Sequence, residues 1–260
     1  MMFVKAPRKV GAYLLGVVAV TLLSGHVAPS IDDNNRYLKL TPMRDGLRLA
    51  YTVFFGEIPG ASERRGIDTN RDGRIDDAEA RAFAQKIGGQ VASALELEIG
   101  TTPHRVQWSV ISPGMGSDRV AAGSFSIDLI AYVCLPGGPG TRHRVRLRDQ
   151  FRIPRPGETE VRIEDSPGVT IHKAHVGGAD DPTRNFRFVG PGGPLSDEGV
   201  ELELTATAQA PLLPAGSCAG ATTAPGRRAW WPLAAGAGVL ATAGVLAVVA
   251  RRRRRRVRAS

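Results

Sequence analysis

Three observations predict a mainly β fold, an antiparallel sandwich or barrel-like domain with a short α insertion. Nine short runs of β-type composition, at 37–40, 47–55, 105–111, 124–135, 142–147, 158–164, 169–176, 185–189 and 200–208, are separated throughout by turn-forming residues. Several alternate apolar and polar residues, as in EVRIED and GVELELTATA, the pattern of a strand with one buried and one wet face. One segment, Asp77 to Leu95, breaks this pattern with the spacing of a helix.

At the N-terminus, Lys5, Arg8 and Lys9 precede an apolar run from Val10 to Leu23, followed by small or turn-forming residues. That order is the order of a secretory signal peptide, assigned to 1–28 with cleavage between Gly25 and Ser30, and the apolar run falls short of the roughly 20 residues a membrane span needs. The exported body follows over 36–210, long enough for one domain with its own core.

Within the body, Pro59 to Ile67 contains Gly60, Ser62 and Gly66 and is expected to be too short for a full helix. The next twelve residues, Asp68 to Glu79, read DTNRDGRIDDAE. Asp68, Asn70 and Asp72 occupy alternate positions 1, 3 and 5, Arg74 offers a backbone carbonyl at 7, Asp76 stands at 9, and Glu79 at 12 brings two carboxylate oxygens. Gly73 falls at position 6, where the loop turns sharply, and Ile75 at 8 is the apolar anchor. A hard cation takes six to eight oxygens, so this pattern is that of an EF-hand loop and the cofactor it implies is calcium. The competing reading is an acidic turn that caps the following helix. In that helix Ala78, Phe83, Ile87, Val91 and Leu95 recur at spacings of four and five, and Gly88 with Gly89 is expected to break or kink it. No second loop follows for Ile75 to pair with, so the hand is expected to be incomplete.

Beyond a Pro, Ala, Gly and Thr-rich linker at 211–229, Leu233 to Ala250 is uncharged and apolar, preceded by Trp230 and Trp231 and followed by six arginines, Arg251 to Arg256. Residues 230–250 are therefore expected to be a transmembrane helix with an aromatic belt, and 251–260 a cytoplasmic tail touching anionic lipid head groups. The expected topology is single-pass, with the body in the periplasm or at the cell surface and membrane lipid as the partner of the helix and tail. The net charge of +9 does not imply a nucleic-acid partner: twelve of the 34 basic residues lie in the signal, at Arg227 and Arg228, and after Ala250, leaving 22 against 25 acidic residues in the exported body.

Two cysteines occur, Cys134 in IAYVCLP and Cys218 in PAGSCAG. In an exported protein the default is a disulfide, although the linker composition around Cys218 does not by itself place it near Cys134. From Ala215 to Ser260, a Gly-Ser-Cys segment, a spacer, an apolar helix and an arginine cluster together resemble the sorting tails of myxobacterial surface proteins. That resemblance implies that Cys218 belongs to a processing and anchoring signal and that the helix is removed during maturation. Both readings of Cys218 stand at this point. A second resemblance covers about 38–163: YTVFFGEIPG, the acidic loop, a helix and LELEIG are similar to the exported N-terminal region of bacterial nickel/cobalt transporter and hydrogenase-accessory membrane proteins. It implies a β-rich region, draws attention to Glu57, and carries no transport role, because the polytopic part of that family is missing.

Five histidines raise a transition-metal hypothesis. His172 and His175, three apart in a strand, are expected on opposite faces and unable to share an ion unless the strand is bulged. His26 becomes a ligand only if cleavage after Gly25 exposes it with a free amine. No nucleophile elbow, zinc-protease helix, phosphate loop or dinucleotide fingerprint occurs, and Asp128 and Asp149 cannot be paired from sequence, so no enzyme is expected. The sequence leads to an anchored, exported β domain that binds one calcium ion through Asp68, Asn70, Asp72, Arg74, Asp76 and Glu79, the ion acting structurally. The alternatives are transition-metal handling at the envelope and a surface adhesion module.

Overall fold

The computed structural model describes residues 32–190 and 193–218; the expected signal peptide with His26, the apolar span and the arginine tail lie outside them. The strands are β1 Asn34–Pro42, β2 Gly46–Phe55, β3 Leu95–Ile99, β4 Thr102–His104, β5 Trp108–Gly114, β6 Phe125–Cys134, β7 Arg142–Asp149, β8 Pro156–Ile163, β9 Val169–Val176, β10 Ala179–Asp180, β11 Asn185–Val189 and β12 Val200–Ala206. The helices are α1 Glu57–Ile67, α2 Asp77–Ala94 and the short α3 Pro194–Asp197.

The strands form two six-stranded sheets, ordered β11-β8-β1-β2-β6-β5 and β10-β9-β12-β7-β3-β4. Period-2 alternation turns Leu38, Leu49, Val53, Ile127 and Leu129 of the first sheet and Val145, Leu147, Leu202, Leu204 and Val176 of the second into one continuous core. The mainly β expectation holds, as a two-sheet sandwich. Pairing is antiparallel except between β1 and β8, which run parallel, Tyr37 opposite Glu160 and Leu40 opposite Ile163. A parallel neighbour needs a long crossover, which here is the whole chain from β2 to β7.

Three expectations about the helical insertion and its surroundings are corrected. Pro59 to Ile67 is not too short for a helix: it belongs to α1, an eleven-residue helix with Glu57 in its first turn and Arg64 and Arg65 in its last, matching the helix dipole. Its Gly60 allows close backbone approach, since a Cβ there would lie 2.7 Å from the Gly123 carbonyl oxygen. Helix α2 runs unbroken through Gly88 and Gly89. Gly88 is where the helix meets the sheet: the Trp108 indole donates to its carbonyl at 2.8 Å, and a Cβ would lie 2.9 Å from Ile111 Cδ1. Leu95, the last apolar position of the helical pattern, instead opens β3, and the run expected at 105–111 is displaced to β5.

The segment after β12, where a free linker is expected from residue 211, is tied to the domain at Pro211, Leu213 and Cys218. Ala210 and Leu213 are buried, the Leu213 amide donates to the Asp45 carboxylate at 2.9 Å, and the Arg44 amide donates to the Pro211 carbonyl at 2.8 Å. Cys134 and Cys218 are joined in a disulfide across a sequence separation of 84 residues. This takes the first of the two alternatives for Cys218; a processing role would require the bridge to open.

The outer face of the second sheet is a network of opposite charges between neighbouring strands, Glu96 directly opposite Arg148, and on the diagonals Arg142 with Glu203 and Glu201 with both Arg144 and Lys173 at 2.6 and 2.9 Å. The Lys173 ammonium, then Arg144, holds Glu201 below the usual carboxylate range; the Thr41 hydroxyl, then Lys39, does the same for Glu164. A lowered folded value adds stability above the unfolded value of about 4.5 and loses it as the pH falls through the folded value. The melting temperature is therefore expected to fall below about pH 4.5, and Glu201→Gln to flatten that acid limb in calorimetric scans from pH 7 to pH 3. These exposed pairs contribute at most about 1 kcal/mol each, so the flattening is small and is reduced by salt.

Candidate functional site

The acidic loop sits at one pole of the sandwich, between α1, which leaves the end of β2, and α2. Asp68 is nearly buried, and its carboxylate accepts from the Asp72 amide at 3.2 Å and the Gly73 amide at 3.0 Å. Asn70 Oδ1 accepts from the Asp72 amide at 2.9 Å, and Asp72 Oδ1 from the Arg74 amide at 2.8 Å. These bonds curl the backbone around the positions expected to carry ligands. The curl needs left-handed backbone at Arg71 (φ 60°) and at Gly73 (φ 84°), and Gly73 is the residue that adopts it without strain.

Asp76 and Glu79 also form a capping box at the start of α2: Asp76 Oδ1 accepts from the Ala78 and Glu79 amides, and Glu79 Oε2 from the Asp76 amide at 3.1 Å. The capping alternative thus accounts for these two acids, while Asp68, Asn70 and Asp72 hold the turn before them through backbone amides. Glu79 Oε1 reaches back across the loop to the Thr69 hydroxyl and amide, each at 2.8 Å, and the hydroxyl is the main cause that holds this carboxyl below its ordinary value.

Among the described residues no group of three or more His, Cys, Asp or Glu is drawn together closely enough to hold a metal ion. The loop carboxylates are turned onto backbone amides. The donor set nevertheless fits a hard cation: it is oxygen throughout, one member is an amide and one a carbonyl, and a carboxylate oxygen that accepts one N–H keeps a further lone pair. A soft transition ion has no nitrogen or sulfur here to prefer.

Ile75 has a bridge partner that is not a second EF-hand loop. The Ile75 amide donates to the Asp118 carbonyl at 2.6 Å and the Val120 amide to the Gly73 carbonyl at 3.1 Å, forming an antiparallel bridge between Arg74 and Arg119. Arg74 also pairs with the Asp118 carboxylate. Arg64 of α1, fully buried, holds the same stretch from beneath. Its guanidinium donates to the carbonyls of Gly123 at 3.0 Å, Ser117 at 2.8 Å, Arg119 at 3.2 Å, Ser124 at 3.3 Å and Met115, and stacks 5.2 Å over the Phe125 ring. Sequence inspection passes over Arg64. Its signal is periodicity: Gly60, Arg64 and Ile67 share the buried face of α1, and a basic residue on such a face must find many acceptors.

Glu57, singled out by resemblance, opens α1 against Gly123, where a Cβ would lie 2.3 Å from Glu57 Cγ. Asp128 accepts from Thr52 and Ser126 on the outer face of the first sheet, while Asp149 is sealed between the sheets, so the two are not brought together. His172 and His175 fall under the exception named for a bulged strand. A bulge in β9 pairs Lys173 with Glu203 and Ile171 with Leu204, leaving His172 as the extra residue, 3.0 Å from the Thr205 hydroxyl. Both imidazoles consequently line one shallow groove of about 190 Å³ with Asp180 and Asp181.

No protein-family model matches this chain, and no curated protein matches it.

Proposed function

We propose that this chain is an exported, membrane-anchored protein whose β domain binds one calcium ion at Asp68 to Glu79, and that the ion is structural. The observation that carries this is the loop itself: every position of the calcium pattern is filled, Gly73 takes the left-handed turn at the sixth, and Asp68 draws the loop around its own carboxylate. The ion would be held by Asp68, Asn70, Asp72, the Arg74 carbonyl, Asp76 and Glu79, and it would relieve the mutual repulsion of clustered carboxylates. Position in the fold supports a structural role, because the loop joins α1 to α2 and bridges to the 117–120 stretch. Gly46 pairs with Cys134 and Phe55 with Phe125, so the disulfide and the loop lie at opposite ends of a ten-residue strand pair, about 30 Å apart. A chain anchored after Cys218 would carry its calcium loop at the pole away from that exit.

Calorimetry on chelator-stripped full-length protein in detergent tests this. A Kd of about 10⁻⁴ to 10⁻³ M is expected, with 10 mM calcium raising the melting temperature by about 3 to 10 °C. Asp68→Ala should abolish both the heat and the shift; absence of both in the unaltered protein would overturn the calcium reading. A second reading, transition-metal handling, is favoured by the bulge that brings His172 and His175 to one groove. In its favour, the same preparation reloaded with nickel, cobalt or copper would retain the metal through desalting and lose it in His172→Ala and His175→Ala, with Asp68→Ala unaffected.

A further inference from the structure

EF-hand loops are ordinarily braced by a second loop through a short bridge at the eighth position. Here the brace is an unrelated piece of chain. Ile75 and Gly73 form their two bridge hydrogen bonds with Asp118 and Val120, and the carbonyls of Met115, Ser117, Arg119, Gly123 and Ser124 are gathered by Arg64. Arg64 stands one helical turn before the first loop residue, and its own carbonyl accepts from the Asp68 amide at 3.1 Å. Arg64 therefore meets both sides of the acidic loop, its backbone carbonyl at the entry and its side chain at the stretch that braces the far side.

We propose that the Met115–Ser124 stretch takes the place of the second EF-hand loop, and that Arg64 is a positioning residue that sets calcium affinity without touching the ion. This rests on the calcium reading above. The physical content is preorganisation. An acidic loop whose backbone is already held at Asp68, Gly73 and Ile75 loses less conformational freedom when an ion closes it. Outer partners that orient ligands are typically worth 10- to 100-fold in metal affinity. The linkage is reciprocal: if the brace favours binding, binding must tighten the brace.

Charge and preorganisation predict opposite signs. Arg64 is a cation beside a cation site, so removing its charge alone would tighten calcium binding. Loss of the brace weakens it. The experiment compares the unaltered full-length protein with Arg64→Lys, Arg64→Met and Val120→Pro by calcium titration, together with hydrogen exchange at the Ile75 and Val120 amides. Val120→Pro deletes the N–H that bonds to Gly73 and leaves Arg64 in place, so it serves where an Arg64 variant does not fold.

The expected results are Kd values about 10-fold higher in Arg64→Met and Val120→Pro and a smaller increase in Arg64→Lys, which keeps the charge but carries fewer donors. In the unaltered protein, calcium should slow exchange at Ile75 and Val120. A folded variant with unchanged or tighter calcium binding overturns the proposal, as does exchange at Ile75 and Val120 that ignores calcium. If the unaltered protein binds no calcium at all, the calcium reading fails instead, so the two failures are distinguishable.

Discussion

Asp149→Ala is expected to lower the melting temperature by about 10 °C, the cost of breaking a buried ion pair from one side, about 3 to 5 kcal/mol. Asp149 lies at the end of β7 in the second sheet and Arg36 on β1 in the first, 3.0 Å apart and both almost without exposure. The Tyr51 hydroxyl donates to the same carboxylate oxygen at 2.7 Å, the Phe151 amide donates to the other at 2.8 Å, and Arg36 donates further to the Thr159 hydroxyl and the Phe151 carbonyl. The network rivets the two sheets together. Alanine would leave a buried guanidinium and a buried phenol short of acceptors, and that desolvation is what makes the single change severe.

The intact pair is worth much less than its disruption costs. Burial pushes the Asp149 carboxyl above its ordinary value, against the pull of Arg36 and its hydrogen bonds. The folded chain then keeps this proton longer than the unfolded chain, so the stability this group adds is greatest at low pH and declines as pH rises through the folded value. A double replacement, Arg36→Met with Asp149→Leu, should therefore recover most of what Asp149→Ala loses. Differential scanning calorimetry of the three variants decides it. A double variant no more stable than the single one would overturn this account of the network.

Opening the Cys134–Cys218 disulfide is expected to cost about 4 to 5 kcal/mol on the chain-entropy account, because the bridge closes a loop of 84 residues. The cost comes chiefly from the unfolded chain, which regains conformations the bridge denies it. Cys134→Ala with Cys218→Ala should accordingly lower the denaturation midpoint in urea, and reductant should produce the same shift in the unaltered protein and none in the double variant. The loss is also local. With the bridge gone, buried Leu213 and the contacts of Arg44 and Asp45 hold the last segment at the start of β2, and proteolysis near Pro214 should accelerate.

Much of the candidate site was legible in the chain because calcium-type loops are written locally. Residue type at alternate positions, a glycine at the turn and a capping acid before an apolar helix all act within twelve residues. The strands were legible for a similar reason, since period-2 alternation reports a buried face whatever lies across from it. The glycines misled. Gly60 and Gly88 count against a helix by propensity, yet each sits where a helix backbone must approach another segment closely, and tertiary packing outweighs roughly 1 kcal/mol of propensity. The faces of His172 and His175 were not legible, because the face argument holds only for regular pairing and one extra residue in β9 removes that condition.

The sequence by itself determined the composition of the acidic loop, the mainly β class and the charge balance of the body, all properties of neighbouring residues. Only the tertiary structure decided that Ile75 has a bridge partner more than 40 residues away, that Arg64 rather than Arg65 is buried, and that Cys218 reaches Cys134. The physical reason is common to all three. A buried donor or acceptor must be satisfied and a disulfide needs its two sulfurs within reach, but which distant segment supplies the partner depends on how the sheets stack, and no local pattern encodes that choice.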